Sequence, residues 1–395
     1  MDANTSLSNV PIEVLEDDPY PFYARARAEE PVLYLTVYDQ WLITRWDDCD
    51  AVARNDERVG PMVKHLHDFF GPNILTSDGE VHRWLRGGVD PPLRPRAVQG
   101  YIEDLARPVA RSYVEELRPA GAADATVDLL ERISVRVIGD VLGLKDVDDR
   151  TLQRWFHGLN AGMTNVAGDP AVKAQSDAVQ AELDEYMAEA VERLTAHPDD
   201  SGLSHMVHSG LDDGAPPRTF DDLIGTIRVI ILGGFQEPGH GAAASLLGVL
   251  LDDDQKAMVL ADPKTAIPAA VHEGLRWIAP FGLHERQARV DIELHGVTIP
   301  AGAEIALACA SANRDERRYE NGERFDITRP RQSHASFGYG AHFCSGHFIS
   351  RRLEQIILEE TFAGLPGLRL DPDREPVVFG FAVRGVKHLP VVWDA

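Results

Sequence analysis

Cysteine is scarce in this chain: 395 residues carry three, Cys49, Cys309 and Cys344. Three leave no disulfide framework, which suits a reducing cytoplasm. Positive charge is also short. Lys and Arg number 39 against 63 Asp and Glu, a formal charge of −24. So acidic a chain argues against nucleic acid as a partner and disfavours anionic membrane surfaces. The first residues also lack the pattern of a leader: Met1-Asp2-Ala3-Asn4-Thr5 is polar, with no basic stretch followed by an apolar run. Neither signal peptide nor membrane anchor is expected, and the expected location is cytoplasmic. No Gly/Ser-rich linker, low-complexity tract or internal repeat divides the chain. Residues 1–395 therefore read as one domain, although the length exceeds the usual single-domain range.

What is present suits a globular protein: 44% hydrophobic residues supply a sizeable core and 26% charged residues an ordinary surface. A short helix is expected at Pro21–Glu30, then strand-like runs at Val32–Val37 and Gln40–Thr44 with a turn at Tyr38-Asp39. From Pro61 to Gly79 the pattern weakens into a long loop, and long loops in compact domains tend to be functional. Helices follow between Val98 and Leu194, broken near Gly121, Gly143 and Pro170. A hairpin is expected at Arg289–Pro300, turning at His295-Gly296, and Leu368–Trp393 reads as strand and turn. The fold class is mainly α with small β-sheets.

The most specific run is Phe337-Gly338-Tyr339-Gly340-Ala341-His342-Phe343-Cys344-Ser345-Gly346. It sets one cysteine in a glycine-rich loop ahead of a helix expected over His347–Phe362. Backbone N–H groups and the positive end of that helix favour an ionised sulfur. Four fixed residues, each at a frequency of roughly 2–7%, match by chance at about one position in a million. The spacing Phe-x-x-Gly-x-x-x-Cys-x-Gly resembles the haem-binding signature of the cytochrome P450 enzymes. Two further features agree in order and distance: Glu273-Gly274-Leu275-Arg276 on a helical stretch from Ile267 to Trp277, and Arg329 before the cysteine loop.

The resemblance implies the single-domain cytochrome P450 fold over essentially the whole chain, with Cys344 as axial ligand of a haem iron. An axial thiolate pushes electron density toward O–O cleavage. Without a Cys-x-x-Cys-His run the haem is expected as non-covalent haem b. Glu273, Arg276 and Arg329 correspond to a buried ionic cluster that braces the proximal side. His82 and Arg86 match a His-x-x-x-Arg that meets haem propionates, as do Arg286, with Arg289 competing for that role, and His342. Phe337, Gly338 and Gly346 belong to the cysteine loop, and Gly233 and Gly234 line the oxygen side.

On that side, Phe220–Leu250 is a long helical pattern interrupted by Gly233-Gly234-Phe235-Gln236-Glu237-Pro238-Gly239-His240-Gly241. Glycine costs about 1 kcal/mol in a helix interior and proline about 3, so a kink is expected there. The usual acid–alcohol pair of the family is replaced by Gln236 and Glu237. The carboxylate has moved one place along, so Glu237 is the expected general acid, with Gln236 orienting water. This run resembles the bacterial branch that demethylates guaiacol-type aryl methyl ethers, as do Ser134-Val135-Arg136, Leu142-Gly143-Leu144, Trp155-Phe156 and His197-Pro198-Asp199-Asp200-Ser201.

By the same resemblance the substrate walls are Phe69 or Phe70, Leu75, Val229, Leu232, Gly233 and Leu283. Met163 and Val383 stand where that branch carries phenylalanine. Smaller or more adaptable residues there favour a phenol larger than guaiacol, such as syringol, with a 4-alkylguaiacol second. Electrons are expected from a separate ferredoxin or flavin reductase using NADH, docking near Arg351 and Arg352 or near Arg94 and Arg96, unless hydrogen peroxide substitutes. No fused reductase is expected. Hydroxylation of another small hydrophobe, a terpene or alkylphenol, is the rival activity, and a haem-thiolate sensor the rival of another class. The pairs His65/His67 and His205/His208 lack carboxylate or cysteine partners at metal spacing.

Overall fold

Apolar residues three and four apart build the long helices that form the helical core. In the computed structural model, which describes residues 6–61, 64–165 and 168–394, these are α1 (Gly79–Val89), α2 (Pro95–Leu117), α3 (Glu131–Leu142), α4 (Asp149–Met163), α5 (Pro170–Ala196), α6 (Phe220–Phe235), α7 (Glu237–Leu250), α8 (Pro263–Trp277) and α9 (His347–Gly364). Their ends follow local chemistry. Side chains of Asp78, Asp148, Asp169 and Thr219 cap α1, α4, α5 and α6 by accepting from first-turn N–H groups. Left-handed Gly143 closes α3. In the interior α9 lies against α2, α7 and α8, and α7 against α3. Ile133, Phe235, Leu246, Ile267 and Leu353 are among the side chains of the core they share. Among the described residues no helix is long and apolar enough to cross a membrane.

Five strands make the largest sheet: β1 (Val32–Leu35), β2 (Gln40–Ile43), β3 (Val59–Pro61), β4 (Leu283–Ala288) and β5 (Glu304–Ala308), in the order β1-β2-β5-β4-β3. β2 and β5 run parallel and the other pairs antiparallel. Regular register between β4 and β5 puts His284 and Arg286 on one face of β4 and Leu283 and Glu285 on the other. The expected hairpin is Ile292–Leu294 paired with Val297–Ile299, and its turn residues His295 and Gly296 both have positive φ, as a tight two-residue turn requires. The remaining short strands lie near Ala122–Asp124 and after Leu368. The architecture is mainly α with small β-sheets, as the pattern indicated.

One segment differs. Pro61–Gly79, read as loop, contains the helix Lys64–Phe70. Leu66, Phe69 and Phe70 carry a helical spacing that is too short to stand out beside Gly71-Pro72. Phe70 is buried, and a Cβ on Gly225 of α6 would collide with the carbonyl oxygen of Pro72, so glycine there lets this segment lie directly on α6. Side chains of Lys64 and His65 lie outside the described residues, so the His65/His67 pair is not assessed.

Candidate functional site

The Cys344 loop owes its shape to glycine. Gly338 and Gly340 have φ of 75° and 63°, where other residues are strained, and a Cβ on Gly340 would come within 3.0 Å of the Ala53 carbonyl oxygen. The Cys344 N–H donates to the Phe337 carbonyl at 2.9 Å, and the His347 ring holds the Cys344 carbonyl at 2.9 Å. Of the three cysteines only Cys344 is exposed. Protein nevertheless surrounds its sulfur, so it lies on a concave face at the start of α9. Burial raises the Cys344 thiol, while the N–H groups of Gly346 and His347, with Arg86 and Arg351, pull it down; burial prevails. A bound metal ion would offset that burial by coordination.

Around the same face stand basic groups, several of them without acidic partners. His82 and His342 lie ring to ring at 4.2 Å. Burial lowers both, His342 to about 4, so each is neutral and donates through one ring N–H. The Nε2 atoms of His82 and of His284, a residue absent from the sequence expectations, are buried without a hydrogen-bond partner. The His284 ring lies 3.1 Å from where a Cβ on Gly338 would stand, and it shares its strand face with Arg286. Arg286 is buried, donates to the Glu285 carbonyl at 2.7 Å and makes no ion pair among the described residues. Its competitor Arg289 is instead paired with Asp78. Arg86 bonds the Phe343 carbonyl at 2.9 Å and Asp90 at 3.0 Å. Unpaired buried donors call for an acidic ligand. Two propionates beside a soft sulfur meet that demand, and the residues fit a haem.

α6 and α7 meet in the expected kink at Gln236. A Cβ on Gly233 would meet no atom within 4 Å, so this flank of α6 is open. Ser134 of α3 donates to the Phe235 carbonyl at 2.6 Å and secures the break. Ser134→Ala leaves that carbonyl unpaired in the core and should cost about 1–2 kcal/mol, read as a lowered midpoint in thermal or denaturant unfolding. Gln236 donates through Nε2 to Oε2 of Glu131 at 3.1 Å. Glu237 Oε2 is buried without a partner, and burial pushes the carboxyl up to about 8 against the opposing pull of Lys387. A second buried carboxyl, Glu354 of α9, is likewise pushed up to about 8 by burial and accepts from Ser350 at 2.7 Å. It packs against Gly241, one turn beyond Glu237 on the same helix face.

The expected substrate walls come together in part. Phe69 stacks edge-on against Phe70 at 4.8 Å, and its ring abuts Gly162, the neighbour of Met163. Val229 and Leu232 are half-buried on α6, whereas Phe70 is in the core and Leu75 is 40% exposed. Leu283 turns away from His284 into a separate cluster with Leu33, Leu42 and Phe381. Val383 pairs with Phe281 in an isolated antiparallel bridge.

Glu273 and Arg276 form a two-pronged pair at 2.7 Å, 3% and 1% exposed, and Arg329 reaches Glu273 at 3.2 Å. Arg276 also satisfies the carbonyls of Asn313 and Gly322. The expected docking arginines are less free than the sequence suggested. Arg352 is engaged by Glu103 and Glu359, and Arg351 lies 4.4 Å over the Phe337 ring. Arg94 and Arg96 remain exposed and make no ion pair among the described residues. His205 and His208 are held by Ser209 and the Leu194 carbonyl, and no His/Cys/Asp/Glu cluster among the described residues could hold a metal ion.

Known proteins agree with this arrangement. The family model for cytochrome P450 matches residues 265–363. The chain is 29% identical to 6-deoxyerythronolide B hydroxylase of Saccharopolyspora erythraea, covering 99% of this chain and 100% of that one. It is 28% identical to the cytochrome P450 monooxygenase PikC of Streptomyces venezuelae, over 95% and 91% of the two chains. The structure of CYP109E1 from Bacillus megaterium in complex with testosterone superposes with a TM-score of 0.85 at 21% identity, over 96% of this chain and 100% of that one. CalO2 superposes at 0.83 with 26% identity, over 95% and 96%. The matched segment runs from the Glu273 cluster through Cys344, and the likeness to cytochrome P450 monooxygenases extends over nearly the whole chain.

Proposed function

We propose that the protein is a haem-thiolate monooxygenase that removes the methyl group of a methoxyphenol such as syringol or guaiacol. The observation that carries this reading is the kink: in the run Gln236-Glu237-Pro238 a buried carboxyl with an unpartnered oxygen, pushed up to about 8 by burial, stands where the family resemblance leads one to expect an acid and an alcohol. Cys344 would ligate the haem iron in this reading. His82, Arg86, Arg286 and His342 would hold the propionates, joined by His284 from the strand face it shares with Arg286. The haem, when bound, supplies the oxidising chemistry at the methyl carbon. Phe69 and Met163, with Val229 and Leu232, orient the ring of the phenol and exclude water from it. Glu237 holds a proton at a carboxyl oxygen and gives it up during dioxygen reduction. Hydroxylation of the methyl carbon yields a hemiacetal that collapses to a phenol and formaldehyde. Dioxygen, two electrons and two protons are consumed, and water is the second product. Electrons come from NADH through a separate reductase, or hydrogen peroxide replaces electrons and dioxygen together.

A second reading, hydroxylation of a larger hydrophobe, is favoured by the similarity to a 6-deoxyerythronolide B hydroxylase. A spin-state titration of the holoenzyme with a panel of methoxyphenols separates the two. Syringol is expected to shift the Soret band, and turnover with NADH and reductase, or with peroxide, is expected to release formaldehyde in step with substrate loss. A shift with guaiacol and none with syringol sinks the preference for the larger phenol. No shift with any methoxyphenol sinks the demethylase reading.

A further inference from the structure

A polar thread crosses the helical core from solvent to the kink, and the chemistry assigned to Cys344 and Glu237 makes no use of it. His157 stands on α4 with its side chain 56% exposed, and its Nε2 lies 3.0 Å from Oε1 of Glu131. Glu131, at the start of α3, is only 6% exposed. Its other oxygen accepts from Nε2 of Gln236, the hinge residue beside Glu237. The backbone is shaped for this contact. A π-helical turn at Thr126–Leu130 leads straight into Glu131, and such turns are rare and concentrated at functional sites. A Cβ on Gly239 of α7 would come within 3.0 Å of the Glu131 Cα, so glycine lets the two backbones touch.

A carboxylate buried this deeply is costly unless it is paired, and an apolar residue would serve packing better. Burial works to raise Glu131, but contact with His157, then Gln236 and His240, brings it below the ordinary range. It is therefore a carboxylate next to an imidazole that water can reach. The other titratable groups nearby are His240 on α7, pushed down to about 4 by burial, Lys387, which acts on both His240 and Glu237, and Glu354 of α9, pushed up to about 8 by burial and interacting with Glu237. His240 is thus neutral at physiological pH and does not compete for the proton.

We propose that His157 and Glu131 are the proton inlet of the kink. The inference rests on reading Glu237 as the donor there. Each reductase-driven turnover consumes two protons, and a buried donor must be refilled from solvent. A protonated His157 passes the proton on Nε2 to Oε1 of Glu131 and regains one from water at Nδ1. Rotation of the Glu131 carboxyl, as Gln236 releases it, offers that proton on the Glu237 side. No bond other than O–H and N–H is made or broken. Neither residue touches substrate, so both are positioning residues that act through Glu237.

Glu131→Gln and His157→Gln test this in the holoenzyme with any substrate it hydroxylates. Glu131→Gln is expected to lower product formed per NADH about tenfold, while peroxide-driven turnover, in which the oxidant brings its own protons, changes less than about twofold. His157→Gln is expected to give a smaller loss that added buffer acid relieves, and Glu131→Asp a partial recovery. Independently of turnover, the His157 ring signals in NMR spectra should move in Glu131→Gln while the spin-state titration with substrate does not. Equal losses with NADH and peroxide would mean a structural role and overturn the inlet, as would wild-type coupling in both variants. Normal coupling in Glu237→Gln with a defect in Glu131→Gln would keep the inlet and overturn the role of Glu237. Failure of methoxyphenols as substrates touches neither result.

Discussion

Cys344→Ser is expected to abolish the absorption band that thiolate ligation gives the carbon monoxide complex of reduced haem, and turnover with either oxidant should fall to assay background. Serine keeps the size of the side chain but offers a hard hydroxyl that stays protonated, so the electron push of a thiolate is gone. The loop itself should survive. Its geometry depends on the positive φ of Gly338 and Gly340 and on the main-chain bond from Cys344 to Phe337, none of which involves the sulfur. Unfolding of the haem-free protein should therefore shift by no more than about 0.5 kcal/mol, the usual effect of an exposed substitution. Neither of the other cysteines can substitute, because Cys49 and Cys309 are fully buried and burial raises both thiols. A wild-type band from Cys344→Ser would remove Cys344 from the iron and the haem-thiolate reading with it.

The parts of the molecule legible in the sequence were those where covalent geometry dictates the residue. Glycines at Gly338 and Gly340, proline after a glycine pair in the kinked helix, and the His295-Gly296 turn each mark a backbone conformation that few residues allow. Glu273 and Arg276 were legible because a spacing of three on one helix places two charges in contact, and their position ahead of Cys344 separated them from the many solvated pairs of the same kind. The helix Lys64–Phe70 was hidden because one short turn of apolar residues beside Gly71-Pro72 carries too little periodicity to oppose a loop reading.

What stayed hidden depends on contacts between distant segments. Glu131 and Gln236 are 105 residues apart, and Ser134 and Phe235 are 101. No local pattern encodes either pair. His284 could have been found from strand alternation, since it lies two residues before Arg286 and must share its face once β4 is recognised. The same alternation would have turned Leu283 away from the cavity. Arg351 and Arg352 looked free in a one-dimensional reading because the partners of Arg352 include Glu103, far upstream on α2, and because a ring stacked on Arg351 leaves no trace in charge counts.

Glu237→Gln should reduce reductase-driven product formation by about 10²-fold, the low end of what a positioned general acid contributes. Glutamine fills the same volume and keeps a donor at the kink, but it has no proton to surrender. Binding should be unaffected, so the spin-state shift with substrate persists while electrons from NADH emerge as hydrogen peroxide. The pH dependence carries the sharper signature. Burial lifts Glu237 to about 8, so the carboxyl is protonated through neutral pH and ionises as pH rises through that value. Wild-type activity should decline on the alkaline side of about 8, and the variant should lose that limb. Glu354 is also expected to ionise near 8 and adjoins the same face of α7, so the limb could belong to either carboxyl. The paired variant Glu354→Gln decides between them: if it removes the limb and Glu237→Gln keeps it at near wild-type rate, the donor is Glu354 and the departure at the kink serves another purpose. If Glu237→Gln alone removes it, the carboxyl displaced by one residue along the helix is the one that delivers the proton.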